Sequence, residues 1–395
     1  MSTVSQPSSV PSMRPMPSMR NRSSCLSLGL VRPCLAALAL FGTLYAAPVV
    51  AQQTTTADAL IANAHYLRAR PLTQAALQKN PQDVHALTQQ SVLEWSFFHF
   101  DEAIATAEKA VALAGASAEA HTQLTNTLGA KLLSSNAGTF EKMNLARRFR
   151  KEADLSLQLD PNSLDALEDA ARFYWNAPGM VGGDKSKAQQ LGDRVSHLDA
   201  ARGAALKADF LADDKDKTRQ AAAIEALWKT AIAAQPESSD AHAGLSSAYF
   251  NEGPGKFPLA EAEAKRAITL KPSRILAYRQ LAVIYASTGR WDDLDSLLKR
   301  SAAAVPDNLS PAYQAAKSIL TGSDTTQLSR AEGYLRSYLA KPAEGEEPTH
   351  AAAHWRLGLV LEKEGRKADA IQALQAAVRE DSSLEGAKKD LKRLS

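Results

Sequence analysis

Only two cysteines occur in the 395 residues, Cys25 and Cys34, and both fall before position 52. Beyond them no disulfide, thiolate nucleophile or cysteine metal ligand can form, so the remaining chain must be held by packing alone. The serine elbow G-x-S-x-G and the metalloprotease motif H-E-x-x-H are missing as well, which removes motif support for either hydrolase chemistry. His350 and His354 in "HAAAH" have the right spacing to share a metal, but lack the glutamate and any nearby third ligand, so packing is the expected role. A large charge imbalance is lacking too. Met1 to Ala51 holds four arginines and no acids, so removing it turns the formal +3 of 46 basic and 43 acidic residues into about −1. Neither nucleic acid nor an anionic membrane is called for by that balance.

What precedes Gln52 reads as an export signal. Arg14, Arg20, Arg22 and Arg32 come first, then the apolar run in "CLAALALFGTLYAAPVVAQQ", with Val49 and Ala51 three and one residues before the expected cut. The run is shorter than the ~20 apolar residues a membrane-spanning helix needs. The expectation is a cleaved signal peptide, residues 1–51, and a periplasmic or secreted mature chain without membrane insertion.

From there on the chain is punctuated. Pro236, Pro272, Pro306 and Pro342 recur at spacings of 36, 34 and 36, each after an alanine-rich amphipathic helix pattern. Stretches such as "QPESSD", "VPDN" and "DPNS" stop one helix and cap the next, and a fixed period near 34 means stacked helical hairpins. Small residues recur at one position of each first helix, Ser91, Thr125, Ala171, Ser246, Ala282, Ala316 and Gly358, where a partner helix must come close. Apolar residues at i, i+3, i+4 and i+7 form a stripe that no single hairpin can bury.

These residues resemble the tetratricopeptide repeat family. In "AAAHWRLGLVLEKEGRKADAIQALQAAVREDSS" the family pattern is met at Leu357, Gly358, Leu361, Gly365, Ala370, Leu374, Ala377 and Val378, with Ser382 in place of the usual proline. A second copy, "ILAYRQLAVIYASTGRWDDLDSLLKRSAAAVP", places Tyr278, Leu281, Ala282, Tyr285, Gly289, Trp291 and Pro306 in register. The resemblance implies an all-α, right-handed superhelical solenoid over residues 52–395. Its expected hairpins, about nine, are 53–83, 84–117, 118–163, 164–201, 202–238, 239–274, 275–308, 309–344 and 351–384, with a charged capping helix at 385–394. Pro71 is expected to kink the second helix of the first hairpin.

The stretch "FYWNAPGMVGGDKSKA" (residues 173–188) invites comparison with a phosphate-binding loop. Gly179, Lys185 and Ser186 fit, but Asp184 replaces the second glycine and would set a negative charge beside the phosphate. The preceding "LDALEDAARFYW" has helical periodicity rather than that of a strand. A lengthened connection between two helices is expected instead, with Asp184 capping the second. "FNEGPGKFPLAEA" (250–262) repeats the device two hairpins later.

In the family the first helix of each hairpin faces the concave side. On that basis the candidate partner-binding residues are Trp95, Arg172, Trp175, Asn176, Phe250, Asn251, Arg279, Tyr313, Lys317 and Trp355. Trp228 and Trp291 fall on second helices and are expected in the core. The asparagine-and-lysine carboxylate clamp of chaperone-binding relatives is incomplete, since Asn126 matches one position and its basic companions do not. The sequence therefore reads as a non-enzymatic scaffold for proteins or peptides, with no cofactor and no metal. The alternative is a small-ligand or glycan receptor stacking its ligand on Trp95, Trp175 and Trp355.

Overall fold

A computed structural model describes residues 56–133, 138–212, 214–345 and 348–395. The expected signal peptide lies outside them. The described residues form α-helices and three short 3-10 turns, without strands. In chain order the helices pair as α1 (Ala57–Ala62) with α2 (Tyr66–Lys79), α3 (Val84–Ser96) with α4 (Phe100–Leu113), and α5 (Ala118–Leu133) with α6 (Thr139–Leu159). Then come α7 (Leu164–Asn176) with α8 (Lys185–Leu198), α9 (Ala200–Phe210) with α10 (Lys217–Ala234), and α11 (Ser239–Glu252) with α12 (Phe257–Leu270). The last pairs are α13 (Ile275–Ser287) with α14 (Trp291–Ala304), α15 (Ser310–Thr321) with α16 (Leu328–Leu339), and α17 (His350–Lys363) with α18 (Lys367–Glu380), before α19 (Glu385–Leu394).

Local chemistry sets the breaks. Asp83, Ser163, Asp184, Asp216, Ser238 and Thr349 each stand one residue ahead of a helix and accept a hydrogen bond from the backbone N–H three residues on. Each satisfies one of the donors a helix start leaves unpaired. α2 continues as helix on both sides of Pro71, and its own N-cap, His65, makes no side-chain capping bond.

The small positions of the first helices are where pairs meet. Ser91, Thr125, Ala171, Ser246, Ala282 and Ala316 are all buried, as are Ala103, Ala188, Ala260 and Ala331 on second helices. Ser91 Oγ donates to the Ala103 carbonyl at 2.9 Å, and Ser246 Oγ to that of Ala260 at 2.8 Å, so the hydroxyls use the proximity as well as permit it. At Gly358 an added Cβ would lie 2.7 Å from Leu374 Cγ, too close for any larger residue.

Odd-numbered helices also touch the next odd-numbered helix, as α3 with α5 and α13 with α15, whereas no two even-numbered helices come comparably close among the described residues. The odd helices therefore line the inner wall and the even ones the outer. The stack also returns on itself, because α2 reaches the turn before α15 and the connection before α17.

Candidate binding groove

The inner wall is not uniform. At its N-terminal end it is laced by charge pairs across successive odd helices. His85 on α3 reaches Asp58 on α1 at 3.0 Å and Glu119 on α5 at 2.8 Å, and these carboxylates, Glu119 foremost, raise its pKa to about 9. On α7, Glu168 is buried and holds Arg202 of α9, while accepting from Arg172 at 3.0 Å; Arg172 in turn stands 3.4 Å from Asp209. Asp169 sits behind them, its carboxyl pushed well above the usual range by burial, and accepts from the Asn126 amide at 2.8 Å. Nearly every charge here already has a partner from the chain itself.

At the other end the wall is cationic and open. A hollow of about 500 Å³ is lined by Leu320, Thr321, Arg356, Leu359, Glu362, Lys363 and Arg393, from α15, α17 and α19. Arg393 is neutralised by Glu362, and Lys363 donates to the Leu320 carbonyl at 2.8 Å. Arg356 has an enclosed Nε without an acceptor, and its guanidinium lies over the Trp355 ring at 4.2 Å. Lys317 beside it, an exposed residue, has its pKa lowered by the partial desolvation of its ammonium and then by the Arg356 charge.

The sequence-predicted residues do not form one cluster. Several tryptophans expected to present a free face are taken up in packing. Trp175 stacks on Phe210 with 4.4 Å between ring centroids, and Lys185 covers it at 4.6 Å. Trp355 lies against α19, where Gly386 leaves room for its ring, and donates to Asp390 at 2.8 Å. Trp95 is half-buried against the Leu60, Ile61 and Leu93 cluster, with its Nε1 enclosed. Tyr313, expected on the groove surface, is instead buried, because the turn into α15 lets its ring pack on Tyr338 at 5.5 Å. Phe250 stacks on Phe257 at 5.6 Å. Arg172 belongs to the N-terminal charge network, and Asn176 donates to the Arg172 carbonyl at 2.9 Å. Asn251 and Lys317 are exposed and Arg279 is half-buried. Trp228 is in the core, as its position on a second helix implies.

Sequence reading missed His85, Arg356 and Arg393. His85 is the second residue of α3 and Arg356 adjoins Trp355, and only the inter-helix geometry links them to groups on neighbouring helices. Two histidines on first helices, His121 and His242, share one arrangement. His121 bridges Glu152 at 2.6 Å and the Gly115 carbonyl at 3.1 Å, and His242 repeats this with Glu263 and the Pro236 carbonyl at the same two distances.

The loop at 177–184 is a helix connection. α7 ends at Asn176, residues 179–181 form a 3-10 turn, Gly182 takes a left-handed φ of 98°, and Asp184 accepts from the Lys187 amide at 3.0 Å. The amide that a bound phosphate would use is thus occupied by the aspartate.

The family comparison agrees with this architecture. The tetratricopeptide repeat model matches residues 216–275 and 324–385. No curated protein matches the chain. Among solved structures, yeast Tom70 is similar at 14% identity and TM-score 0.45, over 86% of this chain and 79% of that one. A tetratricopeptide repeat protein from Parabacteroides merdae is similar at 14% identity and TM-score 0.39, over 79% of this chain and 99% of that one. The family model thus identifies tetratricopeptide repeats in two separate segments, 216–275 and 324–385, and the same pairing of successive helices recurs along the described residues.

Proposed function

We propose that this protein is an exported, non-catalytic scaffold whose inner wall holds an extended, acidic segment of a protein partner at the α15–α17–α19 end. Tetratricopeptide repeats suggest a protein-interaction scaffold. The observation that carries the finer reading is the pair Lys317 and Arg356, two neighbouring cations of which Arg356 lines the hollow, with no carboxylate paired to either among the described residues; Glu362 in the same hollow is engaged by Arg393. Like charges so placed repel each other until an anion joins them, and a partner carboxylate would relieve both at once. The proposed site is remote from Asn126, so it does not require the incomplete clamp. The leucines Leu320 and Leu359 supply apolar contact alongside the charges.

Crosslinking capture from an envelope fraction tests this, with the mature chain compared to a Lys317→Glu, Arg356→Glu double variant. Loss of the captured partner from the variant, and its recovery by a partner with reversed charges, are expected. Capture that is indifferent to both substitutions would overturn the site. Export is tested separately: N-terminal sequencing of the purified protein should begin at or near Gln52, and a chain that retains residues 30–51 would overturn it.

A further inference from the structure

The turns that join one hairpin to the next are short, with one exception. Residues 80–83, 114–117, 160–163, 235–238, 271–274 and 381–384 make four-residue turns, whereas α16 and α17 are joined by residues 340–349. That longer connection does not hang free at its described positions. Glu344 is 2% exposed and its Oε1 accepts from the Leu67 backbone N–H at 2.8 Å, across 277 residues of sequence. Gly345, with φ of 62°, lies so close to the first hairpins that an added Cβ would stand 2.5 Å from the Tyr66 ring and 3.2 Å from the Ser96 carbonyl. One turn earlier in the stack, Asp307 stands 2.9 Å from His65 Nδ1 and 3.2 Å from Arg68.

The chemistry of the contact is specific. Leu67 is the second residue of α2, so its N–H is one of the donors that a helix start leaves unpaired, and His65 at the N-cap supplies no side-chain acceptor. Glu344 supplies it from the far end of the molecule, as a carboxyl group at the positive end of the helix dipole. We propose that the first part of the α16–α17 connection, residues 340–345, is a clasp: by capping α2 with Glu344 it closes the stack on itself, and its release opens the inner wall to a partner. The part of this concerning partner access rests on the groove reading above; the clasp itself does not.

The groups that meet at the clasp make it responsive to pH. Burial first, and then the Asp307 charge, raise Glu344 to about 7, against the opposing effects of the Leu67 and Tyr66 amides and of Arg68. A carboxyl whose closed-state pKa lies above its open-state value favours closure while it is protonated, so closure weakens as pH rises from the ordinary carboxylate range through about 7. On the acid side His65 acts in the opposite sense. Burial lowers its pKa despite Asp307, so protonating it costs more in the closed form and acid loosens the clasp. Closure is therefore strongest at mildly acidic pH and already weakened at neutral pH.

Hydrogen exchange of the mature, full-length protein reads the clasp at the Leu67 amide. After correction for intrinsic rates, protection there should fall about tenfold or more between pH 6 and pH 8.5, while that of α13 stays constant. Glu344→Gln keeps an acceptor but cannot titrate, and should abolish that fall, leaving only the opposite effect of His65. Gly345→Val should remove the protection at both pH values and increase the maximum dimension in small-angle X-ray scattering, with α13 protection showing that the stack remains folded. Leu67 exchange and scattering that are unchanged in Gly345→Val would overturn the clasp. A synthetic polyglutamate peptide then probes access. Faster association with Gly345→Val supports gating, and equal rates overturn it. A peptide that binds neither protein refutes the acidic-segment reading while the exchange result still decides the clasp.

Discussion

From the start of α9 onward the interior is continuous: one apolar cluster runs from Ala201 to Ala373, built largely of alanines, leucines and tyrosines at the hairpin contacts. Up to α9 it is divided among three clusters. Polar side chains fill the seams there, with Gln123 donating to Ser91 at 3.1 Å, Thr122 paired with Ser156 at 2.5 Å, and Glu168 clamped by two arginines. An apolar seam tolerates variation as long as volume is kept, whereas a polar seam is satisfied only when every member is present. The N-terminal half is thus the more exacting of the two, and the C-terminal half the more regular, which is also where the family pattern matches.

The sharpest way to break this comparison is to remove one polar partner from each half. Glu168→Ala leaves Arg202 and Arg172 partly enclosed without their shared carboxylate, and should cost about 3 kcal/mol in urea melts. Gln280→Ala, which takes away the partner of Ser246 in the C-terminal half, should cost about 1 kcal/mol. Equal losses would mean that the halves do not differ. Overpacking tests the opposite sensitivity. Ala282→Phe forces a ring into a contact with no exposed surface and should cost ~1–3 kcal/mol, against much less for Lys256→Phe in the 3-10 turn at Pro254–Lys256.

That division was not legible beforehand, but much of the helical register was. The small residues at the helix contacts identified the register, since a serine, alanine or glycine at that spacing has no other common cause. Asp184 identified the loop at 177–184 as a cap. The groove was less legible, because a position on the inner wall says which way a side chain starts, while its length decides where it ends. Trp175 and Trp355 start toward the groove and finish on Phe210 and Gly386. Glu344 and His85 were invisible for a different reason: each acts through residues at least 27 positions away, and no local pattern marks such a pairing.

Gly182→Val comes next in expected size. At φ of 98° a β-branched residue is strained, and its Cβ would overlap the Arg150 guanidinium, so a loss of about 1–2 kcal/mol is expected. The rearrangement should stay local, because Arg150 is the flexible end of a side chain; exchange that rises throughout α10–α18 would contradict the nearest-neighbour coupling of a stack. A smaller effect is expected from acid on the C-terminal half. Arg290 and Lys265 outweigh burial and hold Glu261 down at about 2, so the stability it provides is present above the ordinary carboxylate pKa and is lost as pH falls from there toward 2. Both partners are partly exposed, so the loss should stay below about 1 kcal/mol and shrink in high salt. A Glu261→Gln variant with an unchanged acid profile would remove this pair from the account.

The smallest effect belongs to the two lengthened loops, where the halves converge on one device. Each has a left-handed glycine, Gly182 or Gly253, a 3-10 turn, and a lysine over an aromatic ring at the end of the preceding helix. Lys185 stands 4.6 Å from the Trp175 ring and Lys256 stands 5.3 Å from that of Tyr249. Lys185 is therefore not the freely solvated side chain its loop position suggests, but an exposed cation on a ring is worth only about 0.5–1 kcal/mol. Lys185→Ala and Lys256→Ala should each lower stability by about that amount and by similar degrees. A phosphate site would behave otherwise. There Lys185 would matter only with nucleotide present, and ATP with magnesium would raise the melting temperature of the wild type, because a ligand stabilises whatever folded state it binds. With Asp184 already bonded to the Lys187 amide, no such rise is expected. An ATP-dependent rise that vanishes in Lys185→Ala but persists in Lys256→Ala would separate the two loops and make the first of them a binding site.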